Sequence, residues 1–435
     1  LSIWPHNTSR DADGQLLLGN IRATELAKEF GTPLYVYDEA TLRERARSFR
    51  DAFTGTWHRT RVTYAAKAFM SLAVVQILHE EGLALDVSSG GELYAGLAAG
   101  MPAAEMTFHG NAKTEQELRE ALEARVGLIA VDNLPELDLV ARLAAEVGVR
   151  QRILLRLNPG IDVHTHAKIK TGVLDSKFGL PIATGDASQA VARALAEPSV
   201  ELAGYHTHLG SQLFDPPALA AGVDALLGFA ADMRDRYGIE PSIISPGGGF
   251  GIPYETGDAE TAVRSWAKSL TDALRNGCQR RGLAEPELII EPGRSIAGPA
   301  AVTLYRVGPV KEIPGVRRFV AVDGGMADNI RPALYSARYE AAIANRKAAG
   351  PDREQAIVGK YCESGDILIE RAMMPEIATG DLLALPATGA YCLAMASNYN
   401  FAIRPAVVLI KKGQVRLIRR RETYEDLLRL EVPGD

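Results

Sequence analysis

Residues 62–87 read VTYAAKAFMSLAVVQILHEEGLALDV, and the reading of this stretch decides the fold. A β-prone run, Val62 to Ala66, leads into Lys67; an amphipathic stretch covers Leu72 to Glu81; a second short apolar run, Ala84 to Val87, brings in Asp86. Short runs of this kind around apolar residues spaced i, i+3, i+4 and i+7 predict strand, helix, strand. Two strands joined through a helix pair in parallel, so the stretch reads as one βαβ unit with a titratable residue at the end of each strand.

Working outward, the rhythm repeats. Further strands are expected at Met106 to His109, Leu128 to Val131, Ile153 to Leu157, Leu202 to Thr207, Ser242 to Ser245 and Leu288 to Glu291. Helices are expected between them at Thr114 to Ala124, Leu134 to Val147, Ala218 to Tyr237 and Thr261 to Arg281. Eight such units over residues 35–300 match a (β/α)8 TIM barrel, whose usual size is about 250 residues. A doubly wound open sheet would show the same alternation. What favours the barrel is the position of the chemistry, because barrel sites lie at the C-terminal ends of the strands. Lys67, Asp86, His109, Asp132, Asn158, His208, Gly247 to Gly249, and Glu291 with Arg294 each follow a successive strand.

Beyond residue 300 the pattern changes to strand-like runs with turn signals. These are Ala301 to Val307, Arg318 to Val322, Asp366 to Ile369, Asp381 to Leu385, Ala406 to Ile410 and Gln414 to Ile418. Residues 301–435, joined by 1–34, are therefore expected to form a second, mainly β domain.

Composition narrows the function. The 435 residues are 47% hydrophobic and 23% charged, with a net charge of -6, and this favours neither nucleic-acid nor anionic-membrane binding. Arg419 to Arg421 is the one basic run and reads as a solvated strand end. Three scattered cysteines, Cys278, Cys362 and Cys392, make neither a disulfide framework nor a zinc ribbon. With no signal-like start and no apolar run of membrane-spanning length, a soluble cytoplasmic protein is expected. A chain opening on Leu1 rather than Met is expected to lack a few starting residues.

Lys67 ends an apolar strand, where burial would lower its pKa and leave a neutral amine able to form a Schiff base. A snorkelling lysine fits the same position. Gly247-Gly248-Gly249-Phe250-Gly251 lies between a strand and a helical stretch, as a phosphate-binding backbone does, and as a tight turn with positive φ does. It matches neither the P-loop nor the dinucleotide fingerprint, which disfavours ATP and NAD. Glu291 in Glu-Pro-Gly-Arg could protonate a pyridine nitrogen or pair with Arg294. His208 could stack on a cofactor ring or be hydrogen-bonded structure. His164, His166, His206 and His208 lack the fixed spacing of a metal site, and no metal is expected. Cys362-Glu363-Ser364-Gly365-Asp366 places a thiol and carboxylates together, or is a plain β-turn.

Together, Lys67, the glycine run, Glu291-Pro292-Gly293-Arg294 and Cys362-Glu363-Ser364, in this order, resemble the fold-type III pyridoxal 5'-phosphate (PLP) decarboxylases over nearly the whole chain. Phe108-His109-Gly110-Asn111, Asp175 to Gly179, Met326 to Tyr335, Gly389-Ala390-Tyr391 and Ser397 to Asn400 narrow the resemblance to the branch acting on meso-2,6-diaminopimelate, giving L-lysine. The resemblance implies the alanine-racemase-like barrel-plus-β architecture, in which the β domain completes the active site, and PLP held by Lys67. It also implies that His208 stacks on the ring, Glu291 faces its nitrogen and Asp86 supports Lys67. Ser211, Gly248, Gly249, Gly293, Arg294 and Tyr391 would bind the cofactor. Arg294, Arg331, Tyr335, Glu363 and Tyr391 would bind substrate, with Cys362 as proton donor and Cys362 and Glu363 supplied by the partner of a homodimer. Ala112 and Phe401 to Arg404 depart from the family pattern and bear on substrate preference. Decarboxylases of ornithine, lysine or a carrier-bound acidic amino acid, a racemase, and a non-catalytic PLP carrier are the alternatives.

Overall fold

A computed structural model describes residues 3–161, 175–432 and 434. The chain divides into two compact units. One comprises residues 46–251 and 261–293; the other comprises 1–45, 252–260 and 294–435.

The first unit is built on eight parallel strands: β1 (Thr60–Ala65), β2 (Ala84–Val87), β3 (Met106–Phe108), β4 (Leu128–Val131), β5 (Gln151–Asn158), β6 (Val200–His206), β7 (Ile243–Gly247) and β8 (Glu287–Ile290). Each pairs with the next, and β8 pairs back to β1, so the sheet closes into the barrel and the open-sheet alternative falls away. Side chains alternate along a strand, which gives the barrel its layers. Leu128, Leu154, Ala203, Ile243 and Ile289 form one buried apolar cluster. Two residues further along, on the same faces as Leu154, Ile243 and Ile289, stand Arg156, Ser245 and Glu291. An apolar layer thus underlies a polar one at the C-terminal mouth.

The helix Leu134–Val147 shows how local sequence sets these elements. Asn133 caps it, its side chain accepting from Glu136 N–H at 2.9 Å; Pro135 sits in the first turn, and Gly148 ends it in left-handed conformation at φ 73°. The helix Val263–Arg281, expected from Thr261, begins twelve residues after Gly251, so it does not start on the glycine run. Pro253 and Gly257 lie in the intervening loop, which Asp258 closes by accepting from the N–H groups of Tyr254 and Glu255 at 3.0 Å each.

The second unit is organised around a mainly antiparallel sheet. Its order is Ile367–Pro375, Asp352–Val358, Arg317–Val322, Ala301–Ile313, Leu34–Asp38, Ala406–Lys411 and Gln414–Arg419. Leu382–Leu385 pairs with Ala301–Ile313 as well. Leu34, Val36, Val302, Leu304, Leu382, Ala406 and Val408 lie in its core. The strand from Ala301 runs six residues past the expected end at Val307, because a register shift between Val307 and Val310 absorbs Gly308-Pro309. Of the basic run, Arg420 pairs with Asp426, and Arg421 donates to the carbonyl oxygens of Phe30 and Pro33. No described helix is long and apolar enough to cross a membrane.

Candidate active site

In the barrel unit, Glu291 stands just past the end of β8, buried, and is surrounded by three other strands' side chains. Ser245 Oγ on β7 donates to Oε1 at 3.1 Å, His206 Nε2 on β6 lies 3.1 Å from Oε2, and His109 Nε2, after β3, lies 3.4 Å from Oε1. Burial alone would raise the Glu291 pKa, but the two imidazoles hold it well below the usual carboxylate range. Burial also lowers His206 to about 4, against the pull of Glu291, so the pair is a neutral imidazole donating to a carboxylate. Asp86, on β2, is the second buried carboxylate of the mouth. Burial raises its pKa, His109 and Lys67 oppose this, and its Oδ1 has no hydrogen-bond partner among the described residues. Charge therefore resides on Glu291 in preference to Asp86.

Lys67 follows β1 in a short 3-10 turn, Ala66–Ala68, and is exposed between two buried alanines. Lys67 is therefore not buried as the sequence reading expected; the position supplies an exposed lysine with Asp86 and His208 close enough to interact electrostatically. His208 is half-buried. Its pKa is pushed well below the ordinary value by burial, then by the positive charges of Lys67 and Arg156. Its Nδ1 accepts from Gly248 N–H at 3.3 Å, which leaves the ring proton on Nε2.

The glycine run turns out to serve structure and approach together. Gly247 and Gly249 have φ of 75° and 102°, and a Cβ on Gly248 would lie 2.2 Å from the Glu291 carbonyl oxygen. Gly293 is less confined, a Cβ there meeting Ala65 at 3.0 Å.

The sheet unit holds a second cluster. Arg294 Nη1 donates to Tyr254 Oη at 2.6 Å, and its guanidinium lies 4.7 Å from the Tyr391 ring centre. Arg331 is 5% exposed, lies 4.5 Å from the Tyr254 ring centre, and donates to Tyr339 Oη, which in turn lies 3.3 Å from Cys392 Sγ. Arg331 Nε has no hydrogen-bond partner among the described residues. Cys362, Glu363 and Tyr335 are exposed, Tyr335 at 61%. Cys362 N–H donates to Asn400 Oδ1 at 2.9 Å, and Tyr399 Oη donates to the Cys362 carbonyl at 3.3 Å. Ser211 is exposed in the loop after β6.

Of the sequence-selected residues, the barrel mouth brings Lys67, Asp86, His208, Gly248 and Glu291 together, while Arg294, Arg331 and Tyr391 belong to the sheet unit's cluster. Sequence reasoning missed His206 and His109 as partners of Glu291, and Arg156 and Glu92 in the barrel. Burial raises Glu92 to about 7, although its carboxylate accepts from Ser88 N–H. It also missed Tyr254 and Tyr339 beside the arginines. The one available signal was the inward position of polar residues on otherwise apolar strands. His164 and His166 lie outside the described residues. The side-chain ligand atoms of His109, His206 and Glu291 lie within 4.8 Å of one another, a grouping that the expected histidine set did not include.

A family profile described as pyridoxal-dependent decarboxylase, pyridoxal binding domain, matches residues 39–298. The chain is 48% identical over 429 residues to a diaminopimelate decarboxylase of Bacillus subtilis, covering 98% of each. It is similar to a solved diaminopimelate decarboxylase of M. jannaschii in complex with L-lysine, at 34% identity and a TM-score of 0.92 over 98% of each chain. It is also similar to that of Helicobacter pylori complexed with L-lysine, at 30% identity and a TM-score of 0.85, over 94% of this chain and 98% of the other.

Proposed function

The chain belongs to the pyridoxal-dependent decarboxylases, a membership that makes PLP its cofactor, and we propose that it acts as a diaminopimelate decarboxylase, releasing CO2 from meso-2,6-diaminopimelate to leave L-lysine. The observation that carries the substrate is Arg331. A guanidinium this buried, with its Nε unpartnered, is costly unless an anion completes it, and a carboxylate does so with two parallel hydrogen bonds. Arg294 stands on the same tyrosine, so the cluster suits a ligand with more than one carboxylate.

The barrel mouth fits the cofactor on its own chemistry. It offers an exposed lysine, a buried carboxylate kept ionised, an Asp86 oxygen unpartnered among the described residues and a backbone too tight for any Cβ at Gly248. When bound, PLP supplies an electron sink for the pair left by departing CO2. Lys67 would hold the cofactor through its aldehyde carbon, and Asp86 would orient the amine. Glu291 would keep the cofactor's ring nitrogen protonated, because the two imidazoles keep its carboxylate charged. His208 presents a neutral ring for stacking, its tautomer fixed by Gly248 N–H. Ser211, Gly248, Gly249, Gly293, Arg294 and Tyr391 would line the cofactor, with Gly249 and Tyr391 toward its phosphate, and Arg294, Arg331, Tyr335 and Tyr391 would take the substrate's carboxylates.

Cys362 delivers a proton to the carbon that lost CO2, and Glu363 meets the distal ammonium, both from the partner in a homodimer. Their exposure, with Cys362 anchored by Asn400 and Tyr399, supports a role outside their own chain. The protein is proposed to work in the cytoplasm. Measuring CO2 release from meso-diaminopimelate, ornithine, lysine and glutamate tests the substrate. Release from diaminopimelate alone, or far fastest, is expected; preference for any of the other three defeats the assignment.

A further inference from the structure

Asp366 ends the run Cys362-Glu363-Ser364-Gly365-Asp366, and among these residues it alone is buried, at 3% exposure. The run lies in a turn closed at its base, where Gly359 N–H donates to the Asp366 carbonyl at 2.9 Å. The Asp366 carboxylate bonds in two directions. Oδ2 accepts from Tyr361 N–H at 2.9 Å, inside the turn that carries Cys362, and Oδ1 accepts from Met326 N–H at 2.6 Å, in the segment that leads through Asp328 to Arg331. The same two stretches meet through their backbones, Lys360 N–H donating to the Gly324 carbonyl at 3.0 Å. Two glycines make room for the carboxylate, since a Cβ on Gly325 would lie 2.4 Å from Oδ1 and a Cβ on Gly359 2.1 Å from Oδ2.

An ionised carboxylate accepts on both oxygens, so one aspartate can hold N–H groups of two segments at once, whereas an asparagine turns a donor toward one of them. Packed between two glycines, the group has no room for the extra methylene of a glutamate. We propose that Asp366 is a positioning residue that fastens the backbone presenting Arg331 to the backbone presenting Cys362. Arg331 serves the site of its own chain and Cys362 that of the partner, so one buried carboxylate sets a binding group in one site and a proton donor in the other. This rests on the assignment of Arg331 to substrate binding and of Cys362 to the partner's chemistry.

Mixed dimers of full chains loaded with PLP separate the two effects, because a Lys67→Ala chain leaves a dimer only one working site. In the first dimer an Asp366→Asn chain is paired with a Lys67→Ala chain, so the working site has a loosened Arg331 and an undisturbed Cys362. In the second, a chain with both substitutions is paired with a parental chain, so the working site has an undisturbed Arg331 and a loosened Cys362. Relative to a parental chain paired with Lys67→Ala, the first is expected to raise the KM for diaminopimelate about tenfold with kcat changed less than about threefold. The second should lower kcat about tenfold and leave KM within about threefold, the effect of a displaced reacting group. Bound-cofactor absorbance should match the reference in both. Gly359→Ala, which drives the carboxylate aside without removing it, should reproduce the split and replaces Asp366→Asn if that chain does not assemble. Equal changes in both dimers, or none in either, would overturn the role of Asp366. Both parameters altered in the first dimer and neither in the second would instead remove Cys362 from the partner's site.

Discussion

Glu291 draws its charge from its neighbours: without His206 and His109, a carboxylate this buried would hold its proton. The same pair links the site to stability. His206 titrates near 6.5 when exposed and at about 4 here, so between those values the unfolded chain binds a proton that the folded chain does not. Its contribution is full above pH 6.5 and is lost as pH falls through 4, a total of about 3 kcal/mol. Glu291, with its folded pKa depressed, contributes in the same direction, above its ordinary value and lost below. Urea midpoints of the cofactor-free protein should therefore drop between pH 7 and pH 4, and drop less steeply in His206→Asn; a midpoint that rises on acidification contradicts this. Glu291 itself was legible in Glu-Pro-Gly-Arg at a strand end. His206, 85 residues away, was not legible as its partner, because the two stand on strands that are not neighbours in the barrel and meet only where inward-facing side chains converge at its mouth.

The turn after β3 carries His109 into the mouth, and one buried lysine holds it there. Lys113 Nζ donates to the Gly110 and Ala130 carbonyls at 2.7 Å each and to Glu136 at 2.6 Å. Removing one member of a buried ion pair strands the other, so Lys113→Met should cost about 3–5 kcal/mol in urea unfolding. Adding Glu136→Leu should recover much of that loss, and a double variant no more stable than the single one would show that the pair is not the cause. The helix presenting Glu136 was read to its ends, Leu134 and Val147, from its apolar spacing alone, and the structure adds the capping residues Asn133 and Gly148 at those ends. Leu34–Asp38 was passed over, because five successive buried residues have no period that separates strand from helix. Asp352–Val358 was passed over for a related reason: its buried positions, Gln355, Ala356 and Ile357, are consecutive rather than alternating, and one of them is polar. Gly308-Pro309 was mistaken for the end of a strand that continues through a bulge.

For the whole molecule, the eight-strand closure was readable because the alternation and the polar strand ends agreed, whereas the partition of the sheet unit into 1–45, 252–260 and 294–435 depends on pairings distant in sequence. Cys362 is proposed to act beyond its own chain. If it acts in the partner's site, Lys67→Ala and Cys362→Ala chains, each inactive or slow alone, should regain about a quarter of parental turnover when mixed and exchanged, since a symmetric dimer of the two has one intact site. Turnover no higher than the average of the separate variants would place Cys362 in its own chain's chemistry. The account as a whole depends on the amine after β1. Borohydride reduction of the purified protein with PLP, followed by peptide mass mapping, should leave one pyridoxyl phosphate on the peptide containing Lys67 and abolish the visible absorbance of the bound cofactor. A pyridoxyl group on another lysine, or on none with PLP in excess, would contradict it.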